Sequence, residues 1–222
     1  MFAGAGQMSE ERYIPAAGRP AFTGFYDSIS DLTMRESHWH PPLADSVIED
    51  LSEGSRIADI GTGTGRLSIE LANRRPDVNV IAIDGDSEAL AIASSKPGAE
   101  AVEWRSGLAD DLPLEDDSVE RVVMTLLLHH LGPRTKAAAL REAHRVLIPG
   151  GRLHVGDWGR PNGALAGAGF LALQLLDGFE NTNDHKAGRL PGIIARAGFG
   201  EPVLETRIST LFGTVEVLRA TA

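Results

Sequence analysis

The chain has 222 residues, 31 acidic against 21 basic side chains, a formal net charge of −10 and no cysteine. Lack of cysteine excludes disulfides, thiolate zinc sites and cysteine nucleophiles, and the acidic balance disfavours nucleic acid, whose phosphates call for a basic face. The longest apolar stretches, such as residues 122–128, fall far short of the roughly 20 needed to span a bilayer, and the start lacks the pattern of a signal peptide, so no integral membrane segment and a cytoplasmic location are expected.

Residues 1–20 mix Gly, Ala, Pro and charge without period and read as a flexible tail. The remainder, 21–222, is long enough for one well-buried α/β core and contains no repeat or linker that would divide it. Phe25, Ile29 and Leu32 share one helical face, and Leu43, Val47, Ile48 and Leu51 follow a break at Pro41-Pro42, which predicts a cap of two helices over about 22–51. Apolar runs at 56–61, 78–84, 101–105, 120–126 and 152–158 alternate with helical stretches at 64–75, 86–95, 134–147 and 184–197. Near-continuous Val/Ile/Leu runs spaced by helices argue a parallel sheet covered on both faces. Two further strands, 203–209 and 214–219, are joined by Thr210-Leu211-Phe212-Gly213. An insertion helix is expected at about 162–180, where Leu165, Phe170, Leu171, Leu173, Leu175, Leu176 and Phe179 are too many for one helical face. Because it leaves the carboxyl end of a strand, it either roofs an acceptor site or packs on the first two helices.

The most informative stretch is Asp59-Ile60-Gly61-Thr62-Gly63-Thr64-Gly65 at the end of the first strand, with Asp84 ending the second. A strand that empties into three glycines and then a helix lets backbone approach a ligand where a β-carbon would collide, and Asp84 is placed to accept both hydroxyls of a ribose. The dinucleotide fingerprint does not fit, since the third glycine comes one residue early and Arg66 takes the last position; no G-x-x-x-x-G-K-S/T cradle is present either.

The D-x-G-x-G-x-G form resembles the first motif of class I S-adenosylmethionine-dependent methyltransferases. The resemblance continues through Leu112-Pro113-Leu114-Glu115-Asp116-Asp117-Ser118-Val119-Glu120, through Leu126-Leu127-Leu128-His129-His130-Leu131, and through the run from Leu140 to Leu153 that contains Pro149-Gly150-Gly151. These segments are similar to those of ubiquinone/menaquinone-type small-molecule methyltransferases, over roughly residues 22–220. The resemblance implies a Rossmann-like α/β fold, a seven-stranded mostly parallel sheet of order 3-2-1-4-5-7-6 with the last strand antiparallel and helices on both faces.

It also implies a cofactor site for S-adenosyl-L-methionine, leaving S-adenosyl-L-homocysteine as product. Asp84 would hold the ribose and Asp59 the amino-acid end, with Gly61, Thr62, Gly63 and Gly65 passing under the chain between them. Gly85 would admit the adenine side, backbone at Leu108 and Ala109 would recognise adenine, and backbone at Thr125 and Leu126 would face the methionine part. Leu108 stands where many relatives carry an aspartate. The other reading of the glycines is close helix–strand packing.

For the acceptor, His129 and His130 follow the fourth strand at the same sheet edge and titrate in the range useful for taking a proton; packing or capping is the competing reading. Tyr26 matches a Tyr-Asp pair near the start of such enzymes. Asp157, ending the fifth strand, either orients an acceptor hydroxyl or caps the next turn. Trp39 either faces the sulfonium or packs in the core. No metal is expected, because no carboxylate cluster accompanies His38, His40, His129 and His130.

The expected function is methyl transfer to an O, C or N atom of a small, rather apolar metabolite, with no nucleic-acid partner; a homodimer is compatible with the sequence. The alternatives are a protein that binds S-adenosylmethionine without transferring methyl groups, and an NAD(P)-dependent oxidoreductase, which the early third glycine and the lack of Tyr-x-x-x-Lys disfavour.

Overall fold

The computed structural model describes residues 34–222. Among them, seven strands form one sheet: β1 (Arg56–Ile60), β2 (Asn79–Asp84), β3 (Val102–Ser106), β4 (Val119–Thr125), β5 (Leu147–Trp158), β6 (Val203–Thr210) and β7 (Gly213–Thr221), in the order β3-β2-β1-β4-β5-β7-β6. β1 through β5 run parallel, whereas β7 is antiparallel to both β5 and β6. The order and the reversed last strand agree with the expectation from the sequence.

Strands β1, β2 and β4 and residues 153–158 of β5 are buried on both faces, as their continuous apolar runs require, whereas the edge strand β3 exposes Glu103 and Ser106. In β1, Ile57 packs with Leu67, Leu71 and Val80 on one side, while Ala58 and Ile60 pack with Ile81, Ile83 and Met124 on the other. Helices α2 (Arg66–Arg74) and α3 (Ser87–Ser94) cross between the first three strands, and α4 (Pro133–Val146) leads into β5. At the N-terminus of α3, Asp86 caps the Glu88 and Ala89 amides at 2.8 and 3.2 Å, the usual role of a short acidic side chain there.

Three local expectations are corrected. The break at Pro41-Pro42 does not occur: α1 (Glu36–Ile48) runs through both prolines. The prolines offer no N–H to the carbonyls of Ser37 and His38, and both of those residues are exposed to water. On the other face Trp39, Leu43, Ala44 and Val47 are fully or almost fully buried, and that packing outweighs the cost of the prolines. The helix expected at 184–197 is two, α6 (Phe179–Lys186) and α7 (Leu190–Arg196), separated at Gly188 with φ of 66° and restarted by Pro191 in the first turn. The insertion helix, α5 (Ala164–Asp177), ends at Gly178 with φ of 90°. Only part of it is buried: Phe170 and Leu173 face Trp158 and Val215, whereas Leu175 and Leu176 are 71% and 77% exposed. Residues 1–33, which include the expected tail at 1–20, the first of the two expected helices and Tyr26, lie outside the described residues.

Candidate active site

Between β1 and α2 the chain turns through residues 61–65, and Gly61, Gly63 and Gly65 all adopt positive φ, a conformation costly for any residue with a β-carbon. Their surroundings differ. A β-carbon at Gly65 would lie 2.4 Å from the Trp104 ring and 2.9 Å from Ala93, so this glycine seats the loop on β3 and α3. One at Gly61 would lie 2.7 Å from Leu127 Cδ1, whose side chain therefore closes one wall of the crevice. At Gly63 nothing stands within 4 Å, and its bare backbone borders open space. Packing thus accounts for Gly65, and room for a ligand remains at Gly63. Arg66 forms an ion pair with Glu36 at 3.2 Å, tying α1 to the loop.

Asp84 sits across this turn from Gly63. Its Oδ2 accepts the Gly63 amide at 2.7 Å and its Oδ1 accepts the Asp86 amide at 2.9 Å, which fixes the carboxylate plane at the crevice edge. Burial raises its pKa, and those two amides counter the rise. Asp59 lies deeper, 1% exposed. Its Oδ2 accepts Ser68 Oγ at 2.5 Å and Thr62 Oγ1 at 3.1 Å, while Oδ1 is buried without a hydrogen-bond partner. Desolvation pushes its pKa up to about 6, with the Asp84 charge adding to the rise. A buried carboxylate with an orphaned oxygen is a place for a cation, and this fits the ammonium of an amino-acid end.

The remaining predicted cofactor residues line the same rim. Gly85 is exposed after β2, and Leu108 and Ala109 form a half-buried turn closed by the bridge between Leu108 and Asp111. At the end of β4, Leu126 has φ of 48°, a strained value for leucine of the kind that collects at functional turns. Its amide still bonds to the Gly156 carbonyl of β5 at 2.8 Å, so the turn in the chain begins at Leu126 itself.

Beside that bend His129 Nδ1 lies 2.8 Å from Asp157 Oδ1, both side chains buried. Asp157 Oδ1 also accepts the Trp158 amide at 2.7 Å, and Oδ2 accepts the Leu128 amide at 2.8 Å. Burial alone would raise this carboxyl; the neighbouring His129 and His185 and the hydrogen bonds outweigh it and hold the pKa below the ordinary range. An ionised acceptor at 2.8 Å holds an imidazole proton on Nδ1, so that Nε2 is the acceptor whenever the ring is neutral. Asp157 therefore does more than cap the next turn. His130 is pushed down to about 3, chiefly by burial and further by His129. Trp39, fully buried, lies against the backbone of Gly156 and beside His40, so it is core rather than a face for a sulfonium.

Three residues at this rim carried no signal in the sequence. Leu127 was one apolar residue in a run of three, Asp177 ends a helix whose composition drew attention only to its leucines, and His185 lies in α6. The approach of Asp177 and His185 to the His129 region is made by the turn at Gly178, which a local pattern does not encode.

The sheet order is the one that the resemblance to class I S-adenosylmethionine-dependent methyltransferases implied, and residues 57–151 match the family described as methyltransferase domain. The chain is similar to the demethylmenaquinone methyltransferases of Deinococcus radiodurans (35% identity; 52% of this chain, 48% of that protein) and Thermus thermophilus (35%; 61% and 62%). It spans about half the length of the first curated relatives it matches. In fold it is similar to the crystal structure of a methyltransferase from Aquifex aeolicus, with a TM-score of 0.64 at 21% identity over 92% of this chain and 99% of that one.

Proposed function

We propose that the protein transfers the methyl group of S-adenosylmethionine to a carbon or oxygen atom of a small, rather apolar aromatic acceptor of the quinol or phenol type. The observation that carries this reading is that one glycine turn holds Asp84 on the amide of the open Gly63 and, through Thr62, the Asp59 carboxylate with its orphaned oxygen. The names of the quinone-methylating relatives support the acceptor class.

Bound there, the sulfonium supplies an electrophilic methyl carbon. Asp84 would take the ribose hydroxyls on the lone pairs its two backbone donors leave free, and Asp59 the ammonium, so that the cofactor is held at both ends. Leu127, Leu126 and the half-buried Leu108 exclude water between them, and alignment with desolvation is worth roughly 7–11 kcal/mol where geometry is ideal. As the acceptor atom bonds to the methyl carbon, its proton has to leave, and His129 Nε2 is the group poised for it, with Asp157 stabilising the imidazolium.

Calorimetry tests the first half: the wild type binds S-adenosylhomocysteine and gives no heat with NAD. Transfer of a labelled methyl group to a panel of phenols and reduced demethylquinones tests the second. Binding of NAD without binding of S-adenosylhomocysteine ends the reading.

A further inference from the structure

His129 and His130 sit at the rim as a pair whose ring centroids are 4.0 Å apart, and the end of α5 brings a carboxylate to them. Asp177 Oδ2 lies 3.9 Å from His129 Nε2, and Asp177 Oδ1 lies 3.7 Å from His130 Nδ1. One ligand atom from each of the three residues falls within 4.8 Å of the others, and among the described residues this is the group that meets that spacing. We propose that His129, His130 and Asp177 form a binding site for one divalent transition-metal ion of the zinc or iron(II) class. Neither the family nor the relatives' names assign such a site.

Four observations carry it. Two imidazoles and one carboxylate are a donor set suited to borderline ions rather than to magnesium or calcium, which take oxygen. The His129 ring is already oriented, because Asp157 accepts its Nδ1 proton at 2.8 Å and leaves Nε2 directed toward Asp177; this carboxylate–histidine arrangement is the usual support of a metal-bound imidazole. The two other ligand-bearing segments are fixed to each other through Asn181, whose Nδ2 donates to the His130 carbonyl at 3.1 Å and to the Asp177 carbonyl at 3.2 Å. Finally, the surroundings are anionic: Asp157 and Asp177 both stand against the histidine pair, while Asp184 is paired with Lys136 at 3.9 Å and with Arg189 at 3.5 Å.

Ligands that share an ion at about 2.1 Å stand roughly 3–3.5 Å apart, so the three atoms must draw in. Rotation of the Asp177 and His130 side chains, each about one-sixth exposed, supplies that movement and also an entry path. Three protein ligands leave positions open for an acceptor oxygen, whose proton the ion would make easier to lose. That role rests on the methyl-transfer reading; metal binding does not. With the ion in place His129 Nε2 is a ligand, and it acts on the acceptor through the metal.

The test uses the full chain, stripped with chelator and titrated with Co²⁺ by absorbance and with Zn²⁺ by calorimetry, with Mg²⁺ as control. The expected result is one Co²⁺ or Zn²⁺ per chain and no heat with Mg²⁺. Asp177→Asn, close in shape and partly exposed, should weaken binding at least tenfold, and Asp157→Asn by 10–100-fold, whereas exposed His38→Ala should change nothing. S-adenosylhomocysteine binding by Asp177→Asn should match the wild type, which separates loss of metal from loss of fold. No stoichiometric metal uptake by the wild type, or equal uptake by Asp177→Asn, overturns the proposal. A protein that binds the metal but not S-adenosylhomocysteine supports the metal site while removing the methyltransferase reading.

Discussion

The carboxylate of Asp84 holds the amide of Gly63 at 2.7 Å, so the acid that closes the second strand also sets the shape of the loop that follows the first. Ligand affinity and loop geometry are therefore coupled through one side chain. Asp84→Ala should weaken S-adenosylhomocysteine about 10–100-fold, from a net loss of about 1.5–3 kcal/mol of charge-assisted hydrogen bonding. Titration calorimetry measures it, and an unchanged affinity would remove Asp84 from the site.

The three loop glycines should respond differently. At Gly65 an alanine meets Trp104 at 2.4 Å with φ of 76°, so overpacking and backbone strain together should cost about 2–5 kcal/mol of stability in a denaturant melt. Gly63→Ala carries only the strain of positive φ, about 1–2 kcal/mol, yet its methyl group enters open space at the crevice. Its loss of S-adenosylhomocysteine affinity should exceed that expected from its loss of stability.

Asp59 predicts an unusual pH dependence. Its folded pKa of about 6 lies above the unfolded value near 3.8, so its contribution is fully present below 3.8 and is lost as pH rises through 6. Asp59→Asn should therefore gain on the wild type between pH 4 and pH 7, by about 2–3 kcal/mol. The same variant should bind S-adenosylhomocysteine more weakly at pH 7, because the buried negative charge that costs stability is the partner for an ammonium. Melts at several pH values, paired with one titration, check both halves.

Asp157 runs the other way. Its folded pKa is lowered, so its stabilisation is present above the unfolded value and vanishes as pH falls through the folded one. Asp157→Asn should cost about 3–5 kcal/mol at pH 7, since three donors converge on its two oxygens. The gap from wild type should narrow below about pH 4. In ¹⁵N spectra His129 should carry its proton on Nδ1 in the wild type and lose that preference in the variant.

Much of the fold is local in origin. The Val/Ile/Leu runs of β1, β2 and β4 demanded cover on both faces, and the positive-φ glycines with Asp59 and Asp84 marked one end of the sheet as the ligand edge. Where expectation and structure part, a nonlocal interaction prevails: burial of Trp39, Leu43 and Val47 carries α1 through two prolines, and α5 leaves Leu175 and Leu176 exposed because only one side of it meets the sheet.

Residue order alone determined that a strand, a glycine turn and an acid at the end of the next strand would share a rim, because strand and helix periods place them there. Tertiary structure alone decided which glycine is packing and which is open, that His129 is held by Asp157, and that Asp177 arrives beside the histidine pair. Those contacts join residues up to 48 positions apart through backbone turns at Leu126 and Gly178, and such meetings depend on how elements pack rather than on any periodic pattern within one of them.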